Sequence, residues 1–504
     1  MPSFDRRELE ARVGEILNRR AAVGLAVGVV RDRSLEFFHG HGVADITSRA
    51  PVTEDTVFRV ASITKTFTAV AVMQLWEQGI VDLDAPANDY LRAYRLIPAR
   101  PSFRPATVRH LLTHTAGIPE VLHPSDLLKP IFGETVKVGQ RMPSLAEYYR
   151  RGLRIEAEPG SRFAYTDHAF ATLGQIVEDV SGQPFDRYLS ESLFEPLGMT
   201  HTDLVRTERI RPHLATGYTL RSGGAKAVAD YEIVTAGAGA AYSTTRDMGR
   251  YVAALLGGGA NEYGSMLKPA TLATMFEPHY QPDPRIPGLG LAFWRGTAGG
   301  HRFVEHGGIL PGFDSQIFVA PDDGVGVMAF TNGARSAMLW LPAEVGELLT
   351  HLLGVPDAAI RDDIPQRPEI WRDLCGWYSV PGRLTDARSR EMTGAGVEVF
   401  VRGGRLMLRV LTPIPALYRG FALHPDDETD PYVFRIDLSE FGMGTVRIVF
   451  GQEPGAGTTR VHLDVFPMTA WRQPAATNPR RWATATLAAA AVAITARRMI
   501  RRTR

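Results

Sequence analysis

The apolar strand patterns of this chain fall into two groups far apart in the sequence, and this separation constrains the fold more than any other feature. Residues 23–30 and 35–38 are predicted as two strands joined by a polar turn, and residues 316–320 and 324–330 form a second pair much later. Between the groups, residues 62–239 are mostly helical patterns and loops. The chain therefore predicts an α/β (α+β) fold, in which an antiparallel sheet flanked by helices is built from both groups and a helical subdomain is inserted between them.

Two helices are expected to complete this domain. Near the N-terminus, Leu9, Val13, Ile16 and Leu17 form an apolar stripe at helical spacing. A last helix is expected over residues 337–353, where it would complete the layer of helices that flanks the sheet. The first 20 residues carry alternating charges and no apolar segment typical of a secretory signal, so a cytoplasmic location is expected.

A candidate nucleophile lies at the start of the helical region. Ser62-Ile63-Thr64-Lys65 precedes an apolar run over residues 67–73, which predicts a helix with Ser62 at its mouth and Lys65 one turn inside. Because residues three apart on an α-helix lie on nearly the same face, the Lys65 amine can reach the Ser62 hydroxyl. When neutral it would accept the hydroxyl proton, and when charged it would stabilise the alkoxide. A helix N-cap followed by a solvated lysine is the competing interpretation.

Two further segments carry residues suited to the same chemistry. A Pro-Gly turn followed by a short aromatic segment predicts that Tyr165 and Asp167 lie on a loop, where a phenol beside an ammonium can act as acid or base. The triplet His306-Gly307-Gly308 follows a strand-like segment over residues 302–305. Its glycines would let a substrate approach closely along a strand edge.

Taken in order, these three motifs resemble those of the serine β-lactamase and penicillin-binding-protein superfamily, and above all its class C β-lactamase and esterase branch. The resemblance covers about residues 8 to 350 and includes supporting stretches at 58–67, 79–86, 111–119 and 196–199. It implies a β-lactamase/transpeptidase-like fold and an acyl-enzyme intermediate.

Carried onto the matching positions, the resemblance makes Ser62 the nucleophile and Lys65 with Tyr165 the acid–base pair. It also implies an oxyanion hole formed by backbone N–H groups of Ser62 and Ile309. The substrate-binding residues it implies are Asp167, His306, Gly307, Gly308 and Ile309.

Two positions depart from the family pattern. True β-lactamases carry an amide where Asp167 stands, and an ionised carboxylate cannot donate a hydrogen bond. The third motif usually opens with lysine, whereas His306 carries a full charge only when protonated. Both changes weaken the case for penicillins and for peptides with a C-terminal carboxylate, and they favour esters or other acyl compounds.

Composition fits an enzyme that takes a small-molecule acyl substrate. The chain has 504 residues, of which 44% are hydrophobic and 22% charged, so it can bury substantial cores. Its formal net charge of +1 argues against nucleic acid as the main partner. The single cysteine, Cys375, excludes an intramolecular disulfide and a cysteine-rich metal site, and its apolar neighbours predict a buried thiol.

Other residues that could bind metal or line a pocket are weaker candidates. His110 and His114 are four apart but lack the glutamate that a zinc peptidase would need, so they are interpreted as structural. No metal and no cofactor is expected. Tyr148, Tyr149 and Trp294 could line an acyl pocket, although scattered aromatic residues more often belong to the core.

The boundaries of the first domain are predicted at residues 1–354, followed by a proline-containing linker at 355–370. Residues 371–474 then change to short alternating segments separated by Gly and Pro, including a strand at 417–418. This spacing predicts a small all-β, barrel-like domain. We expect it to act as a packing module that shields the cleft or aids dimerisation.

The last predicted segment is a basic, alanine-rich tail at residues 475–504. Its uncharged run over residues 482–496 is flanked by arginines and is short of the ~20 residues needed to cross a bilayer. A free, partly helical tail is therefore favoured over the alternative of peripheral membrane contact through residues 480–504.

Two classes of function remain open. The first is a serine hydrolase acting on an ester, with β-lactamase, D-Ala-D-Ala carboxypeptidase or D-aminopeptidase activity as alternatives. The second is a non-catalytic relative that keeps the fold as a binding or scaffolding module. Intact Ser62, Lys65 and Tyr165 favour the hydrolase, because a decayed site commonly loses its nucleophile or base. The acyl group, the leaving group and the oligomeric state are left open by the sequence.

Overall fold

The computed structural model describes residues 5–356, 359–381, 394–453, 457–464 and 467–480. The chain divides into two compact units. The first comprises Met1–Ala358 and Leu438–Gly444, and the second comprises Ala359–Asp437 and Thr445–Arg504.

The first unit is built on a seven-stranded antiparallel sheet that joins the early and late strands, as expected. Its strands are β1 (Gly24–Arg31), β2 (Ser34–Asp45), β3 (Ala50–Pro51), β12 (Trp294–Ala298), β13 (His301–Leu310), β14 (Phe313–Ala320) and β15 (Val325–Thr331). Their order is β12-β13-β14-β15-β1-β2-β3. The two sequence groups meet where β1 pairs with β15, with Leu25 opposite Thr331. The predicted mixed fold with a large antiparallel sheet is confirmed.

Helices cover both faces of this sheet. The helices α1 (Arg6–Arg19) and α10 (Ala337–Leu352) share one core cluster with one face of the sheet. On α1, the predicted stripe residues Leu9, Val13 and Ile16 are buried. The opposite face packs against α8 (Thr245–Leu256), which contacts β1, β2 and β15. Alternation along each strand therefore sends apolar side chains into two separate cores.

The region between the strand groups contains helices and small sheets packed around a buried helix. That helix, α2 (Thr64–Glu77), is buried from Thr64 to Leu75, and its Phe67 packs edge-on against Phe194 and Tyr251. The other helices are α3 (Val108–Leu112), α4 (Leu145–Tyr148), α5 (Asp167–Ser181), α6 (Phe185–Leu189), α7 (Ala236–Gly239) and α9 (Pro269–Phe276). The short strands are β4 (Phe58–Arg59), β5 (Leu96–Pro98), β6 (Thr135–Lys137), β7 (Leu153–Ile155), β8 (Tyr218–Arg221), β9 (Gly224–Ala227), β10 (Tyr231–Ile233) and β11 (Tyr242–Ser243).

The second unit is a nine-stranded antiparallel sheet in the order β19-β18-β17-β16-β24-β23-β22-β21-β20. Its strands are β16 (Gly376–Ser379), β17 (Val397–Arg402), β18 (Arg405–Val410), β19 (Phe421–Ala422), β20 (His424–Pro425), β21 (Val433–Asp437), β22 (Thr445–Glu453), β23 (Gly457–Leu463) and β24 (Thr469–Gln473). The terminal strands β19 and β20 are separated by Leu423 alone, so the sheet nearly closes on itself. The barrel-like character predicted for this part is confirmed.

Two local expectations in this part of the chain are wrong, namely the strand at 417–418 and the burial of Cys375. Residues 417–418 lie in a helix, α12 (Pro415–Arg419), rather than in a strand, because Pro415 presets the first helical turn. The helix α11 (Pro368–Leu374) also begins at a proline, and it starts within residues 355–370, which were predicted as a linker. Cys375 is half-buried rather than buried, and that partial burial raises the pKa of its thiol.

The predicted tail is described only as far as residue 480, so most of it, including its uncharged run, lies outside the described residues. Within the described ranges, the structure has no helix that is both long and apolar enough to cross a membrane.

Candidate active site

Lys65 is the centre of the candidate site. Its side chain is fully buried and its ammonium donates hydrogen bonds to Ser62 Oγ at 3.0 Å, Asp167 Oδ1 at 2.6 Å and the carbonyl oxygen of Ala238 at 2.9 Å. An ammonium has three N–H donors, and a buried charge is tolerated only when it is paired and hydrogen-bonded. The Asp167 carboxylate supplies the opposite charge. The structure thus brings Ser62, Lys65 and Asp167 into one cluster.

Ser62 lies in a single 3-10 turn, Ala61–Ile63, that leads directly into α2. Ala61 has a positive φ of 49°, a conformation that strains any residue with a Cβ atom. Thr64 secures this turn, because its hydroxyl donates to the Ala61 carbonyl at 2.6 Å and accepts from the Ala241 N–H at 3.0 Å. The predicted placement of a serine at the helix mouth is therefore observed, and it depends on a strained backbone.

Asp167 is the first residue of α5 rather than a loop residue, so that expectation is wrong. The helix begins earlier than predicted because Thr166 acts as its N-cap, accepting a hydrogen bond from the His168 N–H. A carboxylate in the first helical turn also interacts favourably with the helix dipole. Since α5 packs against α2, Asp167 reaches Lys65 across the helix interface.

Tyr165 lies beside Lys65 with its ring face toward the ammonium, 4.8 Å from the ring centroid to Nζ. This is a cation–π contact in a buried setting. The same ring stacks on His114, at 4.3 Å between centroids, and on Trp294, at 6.3 Å. Reasoning from the sequence missed His114, which it interpreted as structural. It left open whether Trp294 lines a pocket or belongs to the core. The signal for His114 was its position in the 111–119 stretch that resembles the family.

His306 faces this cluster from β13 as a neutral side chain. It lies within the strand rather than after it, and it is buried. Loss of hydration, together with the nearby Lys65 ammonium, lowers the pKa of His306 to about 3, although the Gly307 carbonyl and Asp167 act in the opposite direction. Its Nδ1 lies 2.7 Å from the Gly307 carbonyl oxygen, and an N–H donated there leaves Nε2 unprotonated.

The glycines of the third motif have a packing role that the sequence did not reveal. A Cβ atom on Gly308 would lie 2.3 Å from the Val60 carbonyl oxygen and 2.4 Å from Ser315 Oγ, so only glycine lets β13 approach the turn before Ser62. A Cβ on Gly307 would lie 2.5 Å from Gln316 Oε1. Ile309, the next residue, is half exposed at this edge.

The remaining sequence candidates line a separate cavity or stabilise a helix end. Tyr148 and Tyr149 line a cavity of about 700 Å³ that none of the predicted site residues lines. His110 belongs to the capping box of α3, where its Nδ1 accepts from the Thr107 N–H. In the described part of the chain, no group of three or more His, Cys, Asp or Glu residues could hold a metal ion.

Comparisons with known proteins show the family of this chain. Residues 9–345 match the family model described as Beta-lactamase. "Putative penicillin-binding protein PbpX" from Bacillus subtilis (strain 168) is 27% identical over 323 residues, which span 62% of this chain and 71% of that protein. Esterase EstB from Burkholderia gladioli is 33% identical over 213 residues, which span 41% of this chain and 54% of the esterase.

A solved structure extends the likeness in fold. The octameric penicillin-binding protein homologue from Pyrococcus abyssi has a TM-score of 0.60 and 24% sequence identity, and the superposition covers 93% of this chain and 100% of that one. Identity at this level shows the fold alone. Because the family model matches from the first helix to the last helix of the sheet domain, the chain belongs to the Beta-lactamase family and is a serine hydrolase by class.

Proposed function

We propose that this protein hydrolyses carboxylic esters or related acyl compounds through an acyl-enzyme on Ser62. The observation that carries the proposal is the 3.0 Å hydrogen bond from Lys65 Nζ to Ser62 Oγ. A buried ammonium at this distance stabilises the alkoxide that forms when the hydroxyl loses its proton. A serine that only capped a helix would not need a buried ammonium beside it.

The proposed reaction has two steps that use the same residues. Ser62 Oγ bonds to the substrate carbonyl carbon; the Lys65 ammonium releases one proton through Tyr165 to the leaving alkoxide as the old C–O bond breaks, and it takes the Ser62 proton in its place. Water then attacks the acyl-enzyme, the acid is released and Ser62 recovers its proton. Backbone N–H groups of Ser62 and Ile309 are proposed to stabilise the oxyanion in both steps.

The charge of the site supports neutral substrates. The Lys65 ammonium is matched by the Asp167 carboxylate at 2.6 Å, and His306 is neutral because its pKa is lowered to about 3. These three groups together provide no net positive charge to hold a substrate carboxylate. Neutral short-chain esters should therefore be better substrates than penicillins, which agrees with the similarity to an esterase.

Activity with a series of p-nitrophenyl esters of increasing acyl length tests the proposal directly. Ser62→Ala should abolish hydrolysis and labelling by a fluorophosphonate, while costing at most about 2 kcal/mol of stability. The matched control is Ser161→Ala, an exposed serine in the segment before Tyr165, which should keep the wild-type rate. Ester turnover at the wild-type rate in Ser62→Ala would show that the nucleophile assignment is wrong.

A second candidate is β-lactamase or D-Ala-D-Ala carboxypeptidase activity, which the similarity to a penicillin-binding protein favours. Benzylpenicillin hydrolysis faster than that of every neutral ester would select it over the esterase proposal. The double variant His306→Lys with Asp167→Asn should shift kcat/KM toward β-lactams, because it adds a cation and removes an anion. A correctly folded protein that neither turns over substrate nor reacts with the fluorophosphonate would instead be a non-catalytic binding module.

A further inference from the structure

His114 contacts three consecutive residues, Ala164, Tyr165 and Thr166, through its backbone and its side chain. The Ala164 N–H donates to the His114 carbonyl oxygen at 2.8 Å, and the Thr166 N–H donates to His114 Nδ1 at 3.3 Å. The His114 ring itself stacks on Tyr165, with centroids 4.3 Å apart and ring planes 29° apart. His114 therefore fixes the backbone on both sides of Tyr165 and the plane of its ring.

His114 is in turn held rigidly. Its side chain is buried, and its ring also contacts Phe163 at 5.9 Å and Phe170 at 5.0 Å between centroids. Its backbone has a positive φ of 54° just beyond the end of α3. A strained conformation of this kind persists only where the surrounding structure determines it.

We propose that His114 is a positioning residue that sets the ring of Tyr165 against the Lys65 ammonium. The inference rests on the proposed function, in which Tyr165 shares proton transfers with Lys65. Because Nδ1 accepts a hydrogen bond, the ring proton is on Nε2 and the imidazole is neutral, so it adds no second cation beside Lys65. A shift of about 1 Å in a reacting group can cost on the order of a hundredfold in rate, which makes such anchoring consequential.

Two substitutions separate the contacts of His114. His114→Asn keeps an acceptor for the Thr166 N–H and tolerates positive φ, but removes the stacked ring. It should lower thermal stability, because it leaves a gap among the rings of Phe163, Tyr165 and Phe170, and it should lower kcat for p-nitrophenyl acetate about tenfold with little change in KM. His114→Phe keeps a stacked ring and removes the acceptor, so it should lower thermal stability while kcat stays within about threefold of wild type. If His114→Asn fails to fold, His114→Leu replaces it, since Leu and Phe both lack the acceptor and differ in the ring.

The decisive readout is the dependence on Tyr165. In a Tyr165→Phe background the phenol is already absent. The non-stacking variant, which is His114→Asn or its replacement His114→Leu, should therefore cause no further loss of kcat there. His110→Asn, the same change on the same segment without contact to Tyr165, is the matched control and should keep wild-type kcat. An equal loss in both backgrounds, or a loss in His114→Phe as large as in the non-stacking variant, would overturn the inference. Failure of the Ser62→Ala test would instead overturn the proposed function, whatever the His114 variants do.

Discussion

The ion pair between Lys65 and Asp167 should contribute to stability as a coupled unit. Lys65 is 0% exposed, Asp167 is 8% exposed, and their charged atoms are 2.6 Å apart. At an effective dielectric constant near 20, two charges at this distance attract by about 6 kcal/mol, part of which is offset by the lost hydration of both groups. Removing one partner leaves a buried charge without its counter-ion. We therefore expect Lys65→Met or Asp167→Asn to lower the free energy of unfolding by about 3 kcal/mol each.

The double variant Lys65→Met with Asp167→Asn should lose much less than the sum of the two single losses. It contains no unpaired buried charge, so we expect a coupling energy of about 2 to 3 kcal/mol. Urea unfolding of the wild type and the three variants measures it, provided that the slopes with denaturant agree. Single losses that add within about 0.5 kcal/mol would refute the reasoning, because independent sites behave in that way.

Three further predictions concern packing and protonation. Gly308→Ala should lower stability by about 1 to 3 kcal/mol and also lower kcat, because the new Cβ would push β13 away from the turn before Ser62. The control is Gly14→Ala on α1, where the added Cβ would have no atom within 4 Å, so it should stabilise the protein by about 0.5 to 1 kcal/mol. Equal effects of the two substitutions in urea unfolding would contradict the argument. Burial raises the pKa of Glu305 from 4.5 to about 7. The protonated carboxyl group therefore contributes to the free energy of unfolding in full below pH 4.5, and this contribution is lost as pH rises through 7. Glu305→Gln should reduce the loss of unfolding free energy between pH 5 and 8 by about 2 kcal/mol, and an unchanged pH profile would contradict it. Leu9→Ala should cost about 2 to 5 kcal/mol in the same assay, since Leu9 is buried in the core beneath α1, and a loss below 1 kcal/mol would contradict that packing.

Local patterns in the sequence predicted the elements whose formation depends on near neighbours. The helical spacing of Leu9, Val13 and Ile16 predicted α1, and short apolar runs bounded by polar turns predicted β1 and β15. The same logic placed Ser62 and Lys65 one turn apart. Misassignments occurred where a single residue outweighs the local pattern, as Pro415 does by starting a helix at an expected strand.

The sequence alone thus determined the fold class, the family motifs and the placement of Lys65 one turn after Ser62, since all of these depend on short-range spacing. Only the tertiary structure decided the chemical state of the site. The Asp167 carboxylate reaches Lys65 from 102 positions away, the Ala238 carbonyl from 173, and the His114 ring reaches Tyr165 from another loop. Burial then sets the charge of His306. Hydration and electrostatic pairing depend on which surfaces pack together, and no local pattern records them.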